Sequence, residues 1–165
     1  MAFFLPNDYK ETYLDYTPEY LSSLGKKALL CDIDNTLVTY DDPVPTEALC
    51  KWLSEMKAAG ITVGFISNNS KERVERFNES LGLFAVPKAC KPLGGGMRRF
   101  MKETGFKRAE IAHLGDQIFT DVLMAHSLGI TALLVPPIKD VLTPSFRFKR
   151  ALEGPLMALY HKRKK

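Results

Sequence analysis

No stretch of the 165 residues approaches the roughly 18–20 consecutive apolar positions that a membrane-spanning helix needs. The opening MAFFLPNDY has neither the basic start nor the apolar length of a secretory signal, so a cytoplasmic protein is expected. Cysteine is scarce: Cys31, Cys50 and Cys90 are odd in number and widely spaced, without a CxxC or Cys/His pattern. That excludes a disulfide framework and argues against zinc. Reduced core thiols are expected, and Cys31 in an apolar strand fits best. Neither His113 nor His126 has a partner at metal-ligand spacing, and both read as core or surface residues. Repeats and low-complexity segments are also missing. What remains is an ordinary composition, 45% hydrophobic and 25% charged, at a length suited to one domain with a sizeable core.

The net charge of +4 is unevenly placed, because residues 147–165 carry a surplus of six positive charges while residues 1–146 are negative by two. Within that tail Phe148, Leu152, Leu156 and Leu159 recur at near-helical spacing, although Gly154 and Pro155 should interrupt or kink a helix. A helix docked on the body with a solvated basic end is the first reading. Peripheral contact with an anionic membrane, at the inner face of a bacterial membrane, is the functional rival. Nucleic acid is not expected as a partner, since the tail is short and lacks a binding module.

Strand-like and helix-like segments alternate between residue 28 and residue 135. Strands are expected at 28–33, 61–66, 83–86, 111–114 and 130–135, with helices at 46–59, 70–81, 93–104 and 118–128. Right-handed crossovers then give an α/β, three-layer, Rossmann-like doubly wound sheet, mostly parallel and covered on both faces. Residues 1–27 form an expected N-terminal extension packed on a core of residues 28–146, with 147–165 as the basic tail.

In such sheets function collects beyond the C-terminal strand ends. Asp32 and Asp34 close the first strand, Ser67-Asn68-Asn69 the second, and Gly115-Asp116 the fourth, while Lys91 precedes a helix after the third. Residues i and i+2 of a strand share a face, so Asp32 and Asp34 are expected to point into one volume with Asp116. Three carboxylates repel one another unless a cation lies between them, and hard oxygen ligands with room for water and phosphate suit Mg²⁺. Ser67, Lys91 and free N–H groups at helix starts supply phosphate donors.

DIDNT at 32–36, Ser67 at a strand end, Lys91 before proline and GDQIFTD at 115–121 resemble, in order, the four motifs of the haloacid dehalogenase superfamily. The likeness extends through LPNDYKETYLDYTPEYLSSLG and ISNNS to its class III, YqeG-type subgroup, which is similar to mitochondrial phosphatases acting on phosphatidylglycerophosphate. The resemblance implies a phosphatase in which Asp32 is the nucleophile and Asp34 the acid/base. It also implies Mg²⁺ on an Asp32 oxygen, the Asp34 main-chain carbonyl and Asp116, with Thr36 and Asp121 behind, and phosphate held by Ser67, Asn68 and Lys91. Asn35 stands where the family more often has glycine, a subgroup feature.

Several assignments have structural competitors. Ser67, Asn68 and Asn69 are each plausible helix caps, and Lys88 competes with Lys91, which the family pattern favours by its following proline. Asp121 could instead complement a helix dipole. The three glycines of LGGG lack the phosphate-loop pattern and are expected to permit close packing. Neither inter-motif gap holds a cap domain, so an open site is expected, suited to a large or membrane-presented phosphate. Phosphatidylglycerophosphate is the leading substrate. The alternatives are another soluble or protein-borne phosphomonoester and, from a different class, a receiver-type phospho-accepting module.

Overall fold

The computed structural model describes residues 2–139 and 144–164. Residues 140–143, near the expected end of the core, lie outside the described residues.

Six parallel strands form one sheet: β1 (Asp8–Tyr9), β2 (Ala28–Cys31), β3 (Thr62–Ile66), β4 (Phe84–Val86), β5 (Ile111–Gly115) and β6 (Thr131–Leu134). Their spatial order is β1-β6-β5-β2-β3-β4, so β2 lies at the centre with β5 and β3 beside it. All four residues of β2 are buried, as an apolar strand covered on both faces must be. Its side chains alternate between two apolar layers. Leu29 and Cys31 join Leu49, Trp52 and Met56 of α2 (Glu47–Ala58) and Phe77 of α3 (Lys71–Asn78). On the other face Ala28 and Leu30 join Met97 and Phe100 of α4 (Gly95–Thr104) and Met124 of α5 (Leu123–Ser127). The expected doubly wound α/β sheet is therefore present, and among the described residues no cap is inserted between its strands.

Helix starts follow local chemistry. Thr46 caps α2 by accepting from the Leu49 N–H, and Ser70 caps α3 by accepting from the Arg73 N–H. The cap of α3 is therefore Ser70, not Ser67, Asn68 or Asn69. At the start of α4, a side chain on Gly96 would press on Val86 and Ile66, so the LGGG segment permits close approach of helix and sheet. The helix expected from residue 118 begins as a π-turn over Ile118–Val122 before α5.

Two terminal elements differ from expectation. The first 27 residues do more than pack on the core, since β1 adds an edge strand beside β6, with α1 (Pro18–Ser23) following. At the other end α6 (Pro144–Lys164) runs through Gly154 and Pro155 without a break. Ala151, Gly154 and Pro155 are all exposed, so water can serve the carbonyl that loses its partner to proline. The expected apolar stripe docks only in part: Phe148 is 67% and Leu152 48% exposed, whereas Leu156 packs against the core. Glu153 and Tyr160 are buried instead, because Glu153 accepts from the Ile118 N–H at 2.7 Å and the Tyr160 ring meets Tyr9. The thiols split likewise: Cys31 is buried, but Cys50 and Cys90 are exposed, so a core role holds only for Cys31. Among the described residues no helix is long and apolar enough to cross a membrane.

Candidate active site

Asp32 follows β2 directly, and its N–H extends the ladder to the Leu114 carbonyl at 2.8 Å. Beyond Ile33 the chain leaves the sheet. Asn35 takes a left-handed conformation, φ 65°, and donates its N–H to the Val38 carbonyl at 2.7 Å. Asp34 lies just past the strand in an isolated bridge with Val38, and its carboxylate meets Arg73 and Asn69. The carboxylates that converge are Asp32, Asp116 and Asp121, with one oxygen of each within 4.8 Å of the others. All three are buried.

Lys91 is buried among them, its Nζ 2.8 Å from Asp32 Oδ1 and 2.8 Å from Asp121 Oδ1. Lys88 is exposed on the same loop, so geometry selects Lys91 as the site lysine. The Asn68 side chain grips the Lys91 backbone, accepting from its N–H at 2.7 Å and donating to its carbonyl at 3.3 Å. In this arrangement Asn68 positions Lys91. Ser67 is buried at the end of β3 and its hydroxyl accepts from the Asn69 N–H at 3.1 Å. Thr36 donates to Asp116 Oδ1 at 3.4 Å.

Asp121 unites both readings offered for it. Its Oδ2 accepts from the Gln117 N–H at the helix start and from the Thr120 hydroxyl, while Oδ1 faces Lys91 and, at 2.9 Å, His113 Nε2. Gly115 makes this possible, since a Cβ there would overlap the Asp121 carboxyl. His113 was expected to be a bland histidine. It is buried on β5, and burial holds its pKa below the ordinary value against the pull of Asp121, so a neutral ring donates to that carboxylate. Only the rule that a buried polar side chain requires a partner could have flagged it.

Burial drives the other shifts too. It pushes the Asp32 carboxyl up to about 6, with Lys91 opposing and the Asp121 charge adding to it. Burial would also raise Asp121, but Lys91 and His113 overcome it and hold this carboxyl well below its usual range. Lys91 in turn stays above its ordinary value, because Asp121 and Asp32 outweigh its own burial.

Asp34 has different company. Arg73 of α3 donates to Oδ1 through Nε at 3.2 Å and Nη2 at 2.9 Å, and Asn69 donates to Oδ2 at 3.0 Å. Arg73 and Asn69 thus belong to the site although no motif pointed to their side chains. The Thr39–Asp42 turn closes the near rim through two bonds to Asp42 Oδ2. It carries Tyr40, whose hydroxyl is pushed up to about 12 by partial burial and then by the charges of Asp32, Asp116 and Asp34. Asn35 explains its own presence. Its amide donates to the Lys139 carbonyl at 2.7 Å and its oxygen accepts from the Lys139 N–H at 3.0 Å, a tie that glycine cannot make.

An aspartate at the C-terminal edge of a parallel sheet, beside a buried lysine and two further carboxylates, defines a hydrolase of the haloacid dehalogenase-like type. Residues 8–129 match the family model of the haloacid dehalogenase-like hydrolases, and the chain belongs to that family. It is similar to "Probable phosphatase YqeG" of Bacillus subtilis (strain 168), with 37% identity over 156 residues, covering 94% of this chain and 91% of that protein. Among solved structures it resembles an uncharacterized protein from Listeria monocytogenes serotype 4b, with TM-score 0.57 and 17% identity over 72% of this chain and 85% of that one. Another likeness is the N-terminal part of a Bacteroides fragilis protein, containing a phosphatase domain complexed with Mg, at TM-score 0.50 and 21% identity. That match covers 65% of this chain and 35% of the other. Both structural likenesses speak to the fold alone. Membership in a hydrolase family sets aside the receiver-type alternative.

Proposed function

We propose that this hydrolase releases phosphate from phosphomonoesters through an aspartyl phosphate on Asp32, and that its substrate is phosphatidylglycerophosphate. The observation that carries the reading is Asp32 itself, at an uncapped sheet edge with the Lys91 ammonium 2.8 Å away. An Asp32 carboxylate oxygen attacks phosphorus and the ester P–O bond breaks, while Asp34 gives its proton to the departing alkoxide. Asp34 then takes a proton from the water that attacks the acyl phosphate, releasing phosphate and regenerating Asp32. Ser67 and Lys91 hold the phosphoryl oxygens as charge builds on them.

The carboxylate cluster fits a divalent cation. Three buried carboxylates, Asp32, Asp116 and Asp121, bring one oxygen each within 4.8 Å of the others, a spacing at which a shared cation relieves their mutual repulsion. Carboxylate oxygens select a hard ion, and Mg²⁺ would be held by Asp32, the Asp34 main-chain carbonyl and Asp116, with Asp121 and Thr36 behind them. When bound, it neutralises phosphoryl charge and orients the phosphorus.

Two features support a lipid-borne substrate. Among the described residues the edge carries no inserted cap, so a phosphate presented at a surface can reach it. The last turn of α6 bears exposed His161, Lys162, Arg163 and Lys164, and clustered basic residues near an anionic membrane contribute about 1 kcal/mol each. Phosphate release from dispersed phosphatidylglycerophosphate with Mg²⁺, measured beside a panel of soluble phosphomonoesters and an Asp32→Asn control, tests the proposal. Release above the control, with preference for the lipid, supports it. Preference for a soluble ester refutes the lipid substrate, and full activity in Asp32→Asn refutes the aspartyl phosphate. Equal binding to neutral and anionic liposomes would remove the membrane contact.

A further inference from the structure

Arg73 of α3 lies outside the motif residues and pairs with Asp34. Ser70 pins its backbone at the start of α3. Its guanidinium is 5.6 Å from the centroid of the buried Phe77 ring, donates to the Thr39 carbonyl at 3.4 Å and places two N–H groups on Asp34 Oδ1. The side chain is 15% exposed and that of Asp34 5%, so the pair is largely shielded from water. Asn69 completes the grip from the other side, on Oδ2. Three donors on two oxygens fix the plane of a carboxylate, whereas a single contact leaves it free to rotate.

We propose that Arg73, with Asn69, is a positioning residue that orients the Asp34 carboxyl for proton transfer to the leaving group. This rests on the proposed role of Asp34 as acid/base. With Oδ1 taken by two guanidinium N–H groups, Oδ2 is the oxygen that carries the proton to the ester oxygen. The planar fork matters as well as the charge, because a lysine ammonium presents a point charge and cannot hold one oxygen through two fixed N–H groups. Arg73 also ties the turn that carries Tyr40 to α3 through the Thr39 carbonyl, so the acid and the near rim are set by one side chain.

Leaving-group dependence tests the role, since a departing 4-nitrophenolate needs little proton donation and a departing phenolate needs much more. Steady-state kcat/KM would be measured with 4-nitrophenyl phosphate and phenyl phosphate for wild type, Arg73→Gln and Arg73→Lys, with Mg²⁺. The ratio kcat/KM ends at the first irreversible step, so slow hydrolysis of the phosphoenzyme does not mask the result. Arg73→Gln should lose about 10²-fold on phenyl phosphate and under about fivefold on 4-nitrophenyl phosphate, with Arg73→Lys between it and wild type. Equal losses on both esters, or no loss on phenyl phosphate, would overturn the proposal. A merely structural role lowers both esters together, and melting temperatures of the two variants check that they fold. Asp32→Asn separates the two levels of inference: its retained activity would break the aspartyl-phosphate reading, whereas its silence with unselective Arg73 losses would break only this one.

Discussion

Replacing Asp32 by asparagine should stabilise the protein in the absence of divalent cations, and the gain should grow with pH. Burial raises the Asp32 carboxyl from 3.8 to about 6, a gap between unfolded and folded chains worth roughly 3 kcal/mol. The sign follows from proton binding. A folded carboxyl that keeps its proton longer than the unfolded one favours folding below pH 3.8 and gives up that advantage as pH rises through about 6. Wild type above pH 6 therefore bears the full cost of a buried charge beside Asp121, even with Lys91 at 2.8 Å. The amide bears none of it. Thermal unfolding in chelator at pH 4.5 should show only about a third of the full gap between the proteins, roughly 1 kcal/mol. At pH 7.5 Asp32→Asn should melt higher, by roughly 6–12 °C for a chain of this size. Adding Mg²⁺ should then raise the wild type, by about 2.7 kcal/mol at a hundred times its dissociation constant, and leave the variant behind. A variant less stable than wild type by the same margin at both pH values would refute the reasoning.

Gly115→Ala forces a methyl group into the Asp121 carboxyl, so stability should fall by about 1–3 kcal/mol and kcat/KM by about 10²-fold. Unchanged urea unfolding and unchanged turnover would show that the close approach is not required. Glu153→Ala should cost about 1–3 kcal/mol by stranding the Ile118 N–H, while Glu153→Gln, which keeps an acceptor, should cost less. Equal losses in urea denaturation would mean that charge, not this hydrogen bond, seats α6.

The alternation of elements was readable because β2, β3 and β5 are short apolar runs bounded by glycines and polar loops, and parallel strands buried on both faces have that signature. The helix starts expected at residues 46 and 70 coincide with the caps Thr46 and Ser70. The two residues of β1 carry no such pattern, because their place depends on β6, which lies more than a hundred positions away. α6 misled for a related reason. Its spacing predicted a face of Phe148, Leu152, Leu156 and Leu159, but Phe148 and Leu152 stay exposed while a buried acid and a tyrosine find partners on the body. At the site, motif order placed Asp32, Ser67, Lys91 and Asp116 at one edge. Side-chain direction was not legible. Asp34 faces Arg73 and Asn69, and Asp121 joins Asp32 and Asp116 through the space left by Gly115. His113 and Arg73 lacked motif neighbours, and their roles exist only once strands and helices are packed.

The pairing of β1 with β6 sets an order on assembly during synthesis. Asp8 and Tyr9 are synthesised more than a hundred residues before their partners, Leu133 and Leu134. β2 and β3 can close as soon as Thr62–Ile66 has emerged, so the centre of the sheet can form while the chain's first segment still waits. Until that segment is seated, the far side of β6 is an open hydrogen-bonding edge of leucines, the kind of edge on which a second chain can pair. Strand β1 is thus made long before it is used, and it closes a vulnerable edge that exists only once β6 has emerged.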